Sequence, residues 1–194
     1  MPTGVAIRDV RAQLFDAAER ILLREGPGGL TSRAVTTEAG VAKGVLHRHF
    51  DDFDDFLAEL VYDRIARLAG QSAALRDSAG TATVADNLTA ALMTLFESVA
   101  VAIVSLIIFR DGLRTRLRRT HPTGVPLATE AAEMLATYLA EERELGRIDP
   151  AADVDTLAPA LIGAGHLLYA DRGVTPDRTA VHKIITTVLS GATP

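Results

Sequence analysis

Apolar side chains recur at spacings of three and four residues through almost the whole of this sequence, and this feature limits the possible folds more than any other. The spacing is that of amphipathic α-helices, whereas alternating strand patterns and hairpin dipeptides between β-branched runs are missing. With 194 residues and 48% hydrophobic side chains, the chain is long enough to bury a substantial core. The sequence therefore predicts an all-α protein.

Glycine and proline clusters, together with N-capping residues, divide the chain into predicted helices. The helices are expected at roughly residues 10–25, 32–39, 42–50, 51–77, 84–98, 100–119, 126–145, 153–172 and 176–190. The long fourth helix is a natural connector. We therefore expect a head, residues 1–50, which it joins to a body, residues 51–194.

Two observations bear on the cellular location. The N-terminus has no apolar segment of signal-peptide length, and the absence of cysteine is compatible with a reducing compartment. Residues 88–109 carry a single charge, Glu97, and are long enough to span a bilayer, but a glutamate near the centre of such a span is costly. Buried helices explain this stretch better, and we expect a cytoplasmic protein with no membrane partner.

Basic residues are concentrated in the head, although the formal charge of the chain is −5. Residues 1–50 hold seven basic and five acidic residues, whereas residues 126–194 hold five basic and ten acidic ones. This distribution favours a polyanionic partner at the head.

The second and third predicted helices form a helix-turn-helix pattern, in which the second of the pair enters the DNA major groove. Gly40 supplies the turn, and Leu46 and Phe50 can face inward at i and i+4. Lys43 at the start of the third helix suits a phosphate site. The other polar residues expected to contact DNA are Thr31, Ser32, Arg33, His47, Arg48 and His49. A helical hairpin with a solvated basic edge is the alternative.

Residues 11–65 resemble the DNA-binding head of the TetR (tetracycline repressor) family. The similarity rests on the Ala-rich first helix, Gly26, the block LTSRAVTTEAGVAKGVLHRHF and the phenylalanines that follow it. The resemblance implies an all-helical transcriptional regulator, usually a repressor, whose body binds a small molecule and dimerises. It also adds three residues to the surface that would face the operator: Ala42, Gly44 and Val45.

The sequence departs from the family pattern at two places. His47 and His49 stand where the family often has tyrosines, and Phe53, flanked by four aspartates, stands where the family often has a phosphate-binding lysine. We expect the acidic flanks to weaken operator binding or to make it more sensitive to salt.

The last two predicted helices carry apolar faces and small residues, which suit close helix packing. They fit either the protomer's own core or a dimer interface, and the resemblance favours the interface. The residues predicted to form it are Leu161, Gly165, Leu168, Val181, Ile184, Ile185 and Val188.

An apolar pocket in the body would hold the effector, although each of its predicted residues also fits an ordinary core position. These residues are Leu92, Met93, Phe96, Val99, Ile103, Phe109, Met134 and Tyr138.

The helix-turn-helix pattern and what the family resemblance implies together predict a homodimeric repressor that a small hydrophobic effector releases from a palindromic double-stranded DNA operator. We expect no enzyme activity, no cofactor and no metal, because the histidines have neither chelating spacing nor recognisable catalytic partners. The alternatives are an all-α small-molecule-binding protein or enzyme whose helix-turn-helix serves another interaction, and a structural adaptor.

Overall fold

The computed structural model describes residues 9–170 and 175–193 of the chain. This part is all-α, as predicted, and contains ten α-helices. They are α1 (Val10–Glu25), α2 (Ser32–Glu38), α3 (Leu46–His49), α4 (Phe53–Asp77), α5 (Val84–Phe96), α6 (Ala100–Phe109), α7 (Asp111–Leu117), α8 (Ala128–Glu144), α9 (Val154–Leu168) and α10 (Arg178–Val188).

The helices α1, α2 and α3 pack together at the N-terminal end, and the first turns of α4 complete their core. Leu14, Ile21 and Leu22 of α1 are buried, together with Phe56 and Leu57 of α4. These contacts cross the predicted boundary at residue 50, because the short helices cannot enclose an apolar core without α4.

The body is a helical bundle in which α8 packs on α9 and α4, and α10 packs on α5 and α9. Its core includes Leu88, Ile103, Leu135 and Leu139, which are all completely buried. The long helix α4 therefore contacts both the head and the bundle, as expected of a connector.

Two predicted helices differ from the structure. The third, expected at 42–50, is regular only over Leu46–His49, because residues 42–45 form a turn closed by a hydrogen bond from the Val45 amide to the Ala42 carbonyl. The helix expected at 100–119 is two helices, α6 and α7, separated at Arg110, whose backbone is extended with φ −116° and ψ 97°. This break brings the Arg110 side chain to Asp54 of α4.

The apolar stretch at 88–109 is not one helix. It is divided between α5 and α6, which are bent by 58° relative to each other. Among the residues that the structure describes, no single helix is both long enough and apolar enough to cross a bilayer.

Candidate DNA-binding surface and ligand cavity

Aromatic packing in the head fixes the position of α3. The rings of Phe15, Phe50 and Phe56 contact one another with centroid separations of 5.1–5.9 Å. Leu46 is completely buried beside them, so the inner side of α3 is anchored at two positions one turn apart, as the sequence predicted. The opposite side of this short helix is left to the solvent.

The turn between α2 and α3 is held by local capping and by one contact from α1. The Thr31 hydroxyl accepts a hydrogen bond from the Ala34 amide at 3.1 Å and caps α2. Gly40 has φ 68°, a left-handed conformation that favours glycine. The Gln13 side-chain amide donates to the Ala39 carbonyl at 2.6 Å, which ties the turn to α1.

The predicted setting of Lys43 needs correction. Lys43 lies in the turn before α3 and not at its first residue, so the dipole of a regular helix does not reinforce its charge in the way the sequence suggested. Its side chain remains exposed. Lys43 can therefore contact a phosphate with its ammonium group, without support from a helix dipole.

The ten residues predicted to face DNA lie along α2, the turn and α3. Most of them are exposed: Thr31, Arg33, Ala42, Lys43, Gly44, His47, Arg48 and His49. Ser32 and Val45 are half-buried. We call these ten residues the reading face.

Ion pairing separates the cations of the reading face from the other basic residues of the head. Arg20 and Arg24 both pair with Glu38, at 2.7 and 3.1 Å, and Arg11 pairs with Glu59 at 2.8 Å. The three cations of the reading face, Arg33, Lys43 and Arg48, form no ion pair within the described part of the chain. Their charges are therefore available to an external anion.

The aspartates before and within the first turn of α4 are largely neutralised by the body. Arg116 of α7 donates to Asp52 and Asp55, both at 2.7 Å, and Arg110 donates to Asp54 at 2.5 Å. The Arg110 guanidinium also lies 5.1 Å from the centroid of the Phe53 ring. The acidic run therefore repels DNA less than the sequence suggested.

Sequence reasoning missed these two arginines as partners of the acidic run. They lie 56–64 residues further along the chain, and no helical spacing relates them to α4. The available signal was complementary charge, since an arginine-rich segment at 110–119 matches the acidic run at 51–55.

Two cavities with mainly apolar walls border the body. One, of about 320 Å³, lies between α1, α4, the α5–α6 junction and Leu127, and we call it the junction cavity. The second, of about 230 Å³, lies between α4, α5 and Met134 of α8.

Only two of the predicted pocket residues line these cavities: Val99 the junction cavity and Met134 the second one. Four others are buried side chains elsewhere in the core: Leu92, Phe96, Ile103 and Tyr138. Met93 is half-buried on α5. Phe109 is 83% exposed at the end of α6, so its assignment to an interior pocket is wrong. Because α5 and α6 are apolar on nearly every side, the sequence does not indicate which side of each helix faces a cavity.

The junction cavity has a polar side that the sequence did not reveal. Arg64 and Arg67 of α4 and Glu19 of α1 lie in its wall. Arg64 is 7% exposed, and Glu19 contacts its Nε. Burial raises the pKa of the Glu19 carboxyl and lowers the pKa of the Arg64 guanidinium, because each charged form is desolvated.

Comparison with known families identifies the head. Residues 14–60 match the model of the N-terminal domain of bacterial regulatory proteins of the tetR family. The head of the chain belongs to the TetR family. Its reading face lies within the matched segment, and the chain is a DNA-binding transcriptional regulator.

Solved structures share the fold of this chain over nearly its whole length. NemR of E. coli in its reduced form is 17% identical with a TM-score of 0.74, covering 96% of this chain and 99% of that one. A TetR-family regulator from Agrobacterium tumefaciens is 14% identical with a TM-score of 0.72, covering 96% and 99%. FadR from Bacillus subtilis, solved with stearoyl-CoA, is 18% identical with a TM-score of 0.70, covering 93% and 98%. Comparison with curated proteins gave no match.

Four residues predicted for a dimer interface are buried within the protomer: Leu161, Gly165, Val181 and Ile185. Their assignment is wrong because they pack inward. A Cβ on Gly165 would lie 2.3 Å from the Phe96 ring, so this glycine serves contact between α9 and α5. The other three, Leu168, Ile184 and Val188, are half-buried.

Proposed function

We propose that this regulator is a homodimeric repressor, which binds a palindromic operator through its two reading faces and leaves it when a small molecule binds the body. The observation that carries the proposal is that Arg33, Lys43 and Arg48 are exposed and lack acidic partners, while neighbouring arginines of the head are paired. A regulator of genes acts where the DNA is, so the cytoplasm remains the proposed location.

Free cations on one face favour contact with the phosphate backbone, which supplies much of the affinity of DNA-binding proteins. Arg48, His47 and His49 project from α3 on the side opposite Leu46 and Phe50. We propose that they reach base edges or phosphates in the major groove, while Thr31 and Ser32 at the start of α2 contact the backbone.

A dimer is needed because the two recognition helices must enter successive major grooves, about 34 Å apart on one side of the DNA. We propose that the outer side of α9 and α10 forms the interface. Leu167 of α9 is 78% exposed and lies one turn after the exposed Gly163, and Ile184 and Val188 of α10 are half-buried. A large apolar side chain this exposed, together with partly exposed apolar residues of α10, favours a protein contact.

The dimer can have its two heads at different distances from each other. A small molecule would release it from the operator if it bound more tightly to a dimer whose head spacing does not fit the DNA. The junction cavity supports this, because its wall combines Glu19 and Leu23 of the head with Leu95 and Val99 of the body. The similar structure of FadR was solved in complex with stearoyl-CoA, which also supports a ligand-binding body in this protein.

Selection of genomic DNA fragments by the full chain tests the proposal. We expect enrichment of fragments that contain an inverted repeat, and a particle mass of two chains by light scattering. A Lys43→Gln and Arg48→Gln double variant should lose this enrichment, whereas an Arg118→Gln and Arg119→Gln variant, with the same charge change at exposed residues after α7, should keep it. A monomeric protein, or equal enrichment by all three proteins, would contradict the proposal.

A further inference from the structure

Arg64 is a buried cation whose hydrogen-bonding capacity is not filled. Glu19 contacts its Nε, and Oδ2 of Asp63 lies 3.3 Å from its Nη1. Its Nε and Nη2 are both buried, and neither forms a hydrogen bond in the part of the chain that the structure describes, although Glu19 lies against Nε. Since a guanidinium can only donate, these nitrogens need acceptors, and unsatisfied buried donors of this kind are costly.

A second guanidinium, that of Arg67, lies in the same wall and competes with Arg64 for the Asp63 carboxylate. Arg67 Nε lies 3.0 Å from Asp63 Oδ2, so Asp63 is shared between Arg67 and Arg64. Of the charged residues in the wall of the junction cavity, two are basic and one, Glu19, is acidic. The polar side of the cavity therefore presents two guanidinium groups, and Asp63 Oδ2, which lies between them, is itself buried without a hydrogen-bond partner among the described residues.

The remaining wall is mainly apolar. Leu68 of α4 and Leu95, Val99 and Ala100 at the α5–α6 junction line it. Gln71, one turn after Arg67, has a buried Oε1 without a hydrogen-bond partner among the described residues, and its amide can turn to offer Nε2 instead. A molecule that fits this cavity needs an acceptor-rich group at one end and hydrocarbon at the other.

We propose that the effector is a small amphipathic carboxylate, whose carboxylate group accepts hydrogen bonds from Arg64 and Arg67 and whose hydrocarbon part lies against Leu95 and Val99. This inference rests on the proposed ligand-responsive function and replaces the purely hydrophobic effector that the sequence suggested. The volume of about 320 Å³ is near the lower end for ligand pockets, which favours a short hydrocarbon chain.

The same site explains how binding would reach DNA. The contact between Glu19 and Arg64 joins α1 of the head to α4. A ligand carboxylate that takes Arg64 as its partner competes with Glu19, and so weakens this connection between the head and the connecting helix. The ligand-bound protein then favours a different position of α1 relative to α4. The ligand lowers the affinity for the operator to the extent that it binds this conformation more tightly than the DNA-binding one.

Calorimetric titration of the full chain, without DNA, tests the ligand class. We expect octanoate to bind and the uncharged, equally long octanamide to bind at least about tenfold more weakly, since charge-assisted hydrogen bonds to arginine are lost. Arg67→Gln, at a side chain 54% exposed, should weaken octanoate binding by a similar factor without unfolding the chain. Equal affinity for octanoate and octanamide, or no binding of any carboxylate from butanoate to dodecanoate, would overturn the proposal.

Two cavity-filling variants locate the site. Ala100→Leu should abolish octanoate binding because it fills the junction cavity, whereas Thr94→Leu, in the wall of the second cavity, should leave binding unchanged. The reverse result would refute the assignment. Operator binding is measured separately, so a protein that binds DNA but no carboxylate contradicts this inference alone, and one that binds octanoate but no DNA contradicts the proposed repressor function alone.

Discussion

Neutralisation of Lys43 tests whether the cations without acidic partners are those that contact DNA. The affinity of a protein for duplex DNA falls with salt, with a slope in log–log form of about 0.9 for each phosphate contact. The proposed homodimer presents Lys43 twice, so Lys43→Gln should lower the slope by about 1.8. If Arg33 and Arg48 also contact phosphates, the triple variant should lower it by about 5.4.

Arg20 provides the matched control. It is an exposed cation of the same head, but its Nε lies 2.7 Å from Glu38, and its charge is thereby balanced within the protein. Arg20→Gln makes the same change in formal charge as Lys43→Gln. We expect it to change the salt slope by much less, because no phosphate contact is lost.

The assay is fluorescence anisotropy of a labelled operator fragment, titrated with each variant over a series of potassium chloride concentrations. Thermal unfolding checks that each variant is folded to the same extent as the parent. The reasoning is refuted if Arg20→Gln lowers the slope as much as Lys43→Gln, or if Lys43→Gln leaves it unchanged. Either result would mean that ion pairing within the head does not decide which cations meet the DNA.

Three further predictions concern the packing and the charge of the body. Gly165→Ala places a Cβ 2.3 Å from the Phe96 ring and should lower the free energy of unfolding by about 1–3 kcal/mol. Gly70 of α4 has open space around it, so Gly70→Ala should raise the free energy of unfolding by up to about 1 kcal/mol. Urea unfolding measures both changes. Arg116→Gln removes two charge-assisted hydrogen bonds from a side chain that is 28% exposed, and should cost about 1–2 kcal/mol at low salt and less in molar salt, in the same assay. Hydrogen bonds from the Thr156 hydroxyl and, second, from the Thr156 amide lower the pKa of the Asp153 carboxyl below its usual 3.8. The carboxylate therefore contributes its full stabilisation above pH 3.8, and this stabilisation is lost as the pH falls through the lowered pKa. Asp153→Ala should therefore melt below the parent at pH 7, and the two melting temperatures should converge in strong acid.

Local features of the fold could be predicted from the sequence because their causes lie within a few residues. The first helix was predicted at the bounds observed, Val10–Glu25, since its apolar stripe is followed by Gly26 and Pro27. The cap at Thr31 and the left-handed Gly40 were likewise predicted from residue type and spacing. The inward positions of Leu46 and Phe50 follow from a separation of one helical turn.

Features that depend on distant parts of the chain could not be predicted in this way. Gly165 suggested a close contact, and the contact exists, but only the structure shows that its partner is Phe96 of the same protomer. Periodicity placed Arg64 on α4 without showing that its side chain is buried beside Glu19, 45 positions earlier in the sequence. Where a helix is apolar on several sides, as α6 is, spacing cannot choose between core, cavity and surface, and Phe109 was misplaced for that reason.

The acidic character of the whole chain does not oppose DNA binding once the positions of its ion pairs are considered. Arg110, between α6 and α7, and Arg116 of α7 pair with aspartates in the first turn of α4, and the glutamates of the head are paired with arginines outside the reading face. Because pairs within the protein cancel at a distance, the field near the turn and α3 comes mainly from cations that have no acidic partner there. The net charge of −5 therefore describes the chain as a whole, while Lys43 and Arg48 set the sign of the surface that would meet the operator.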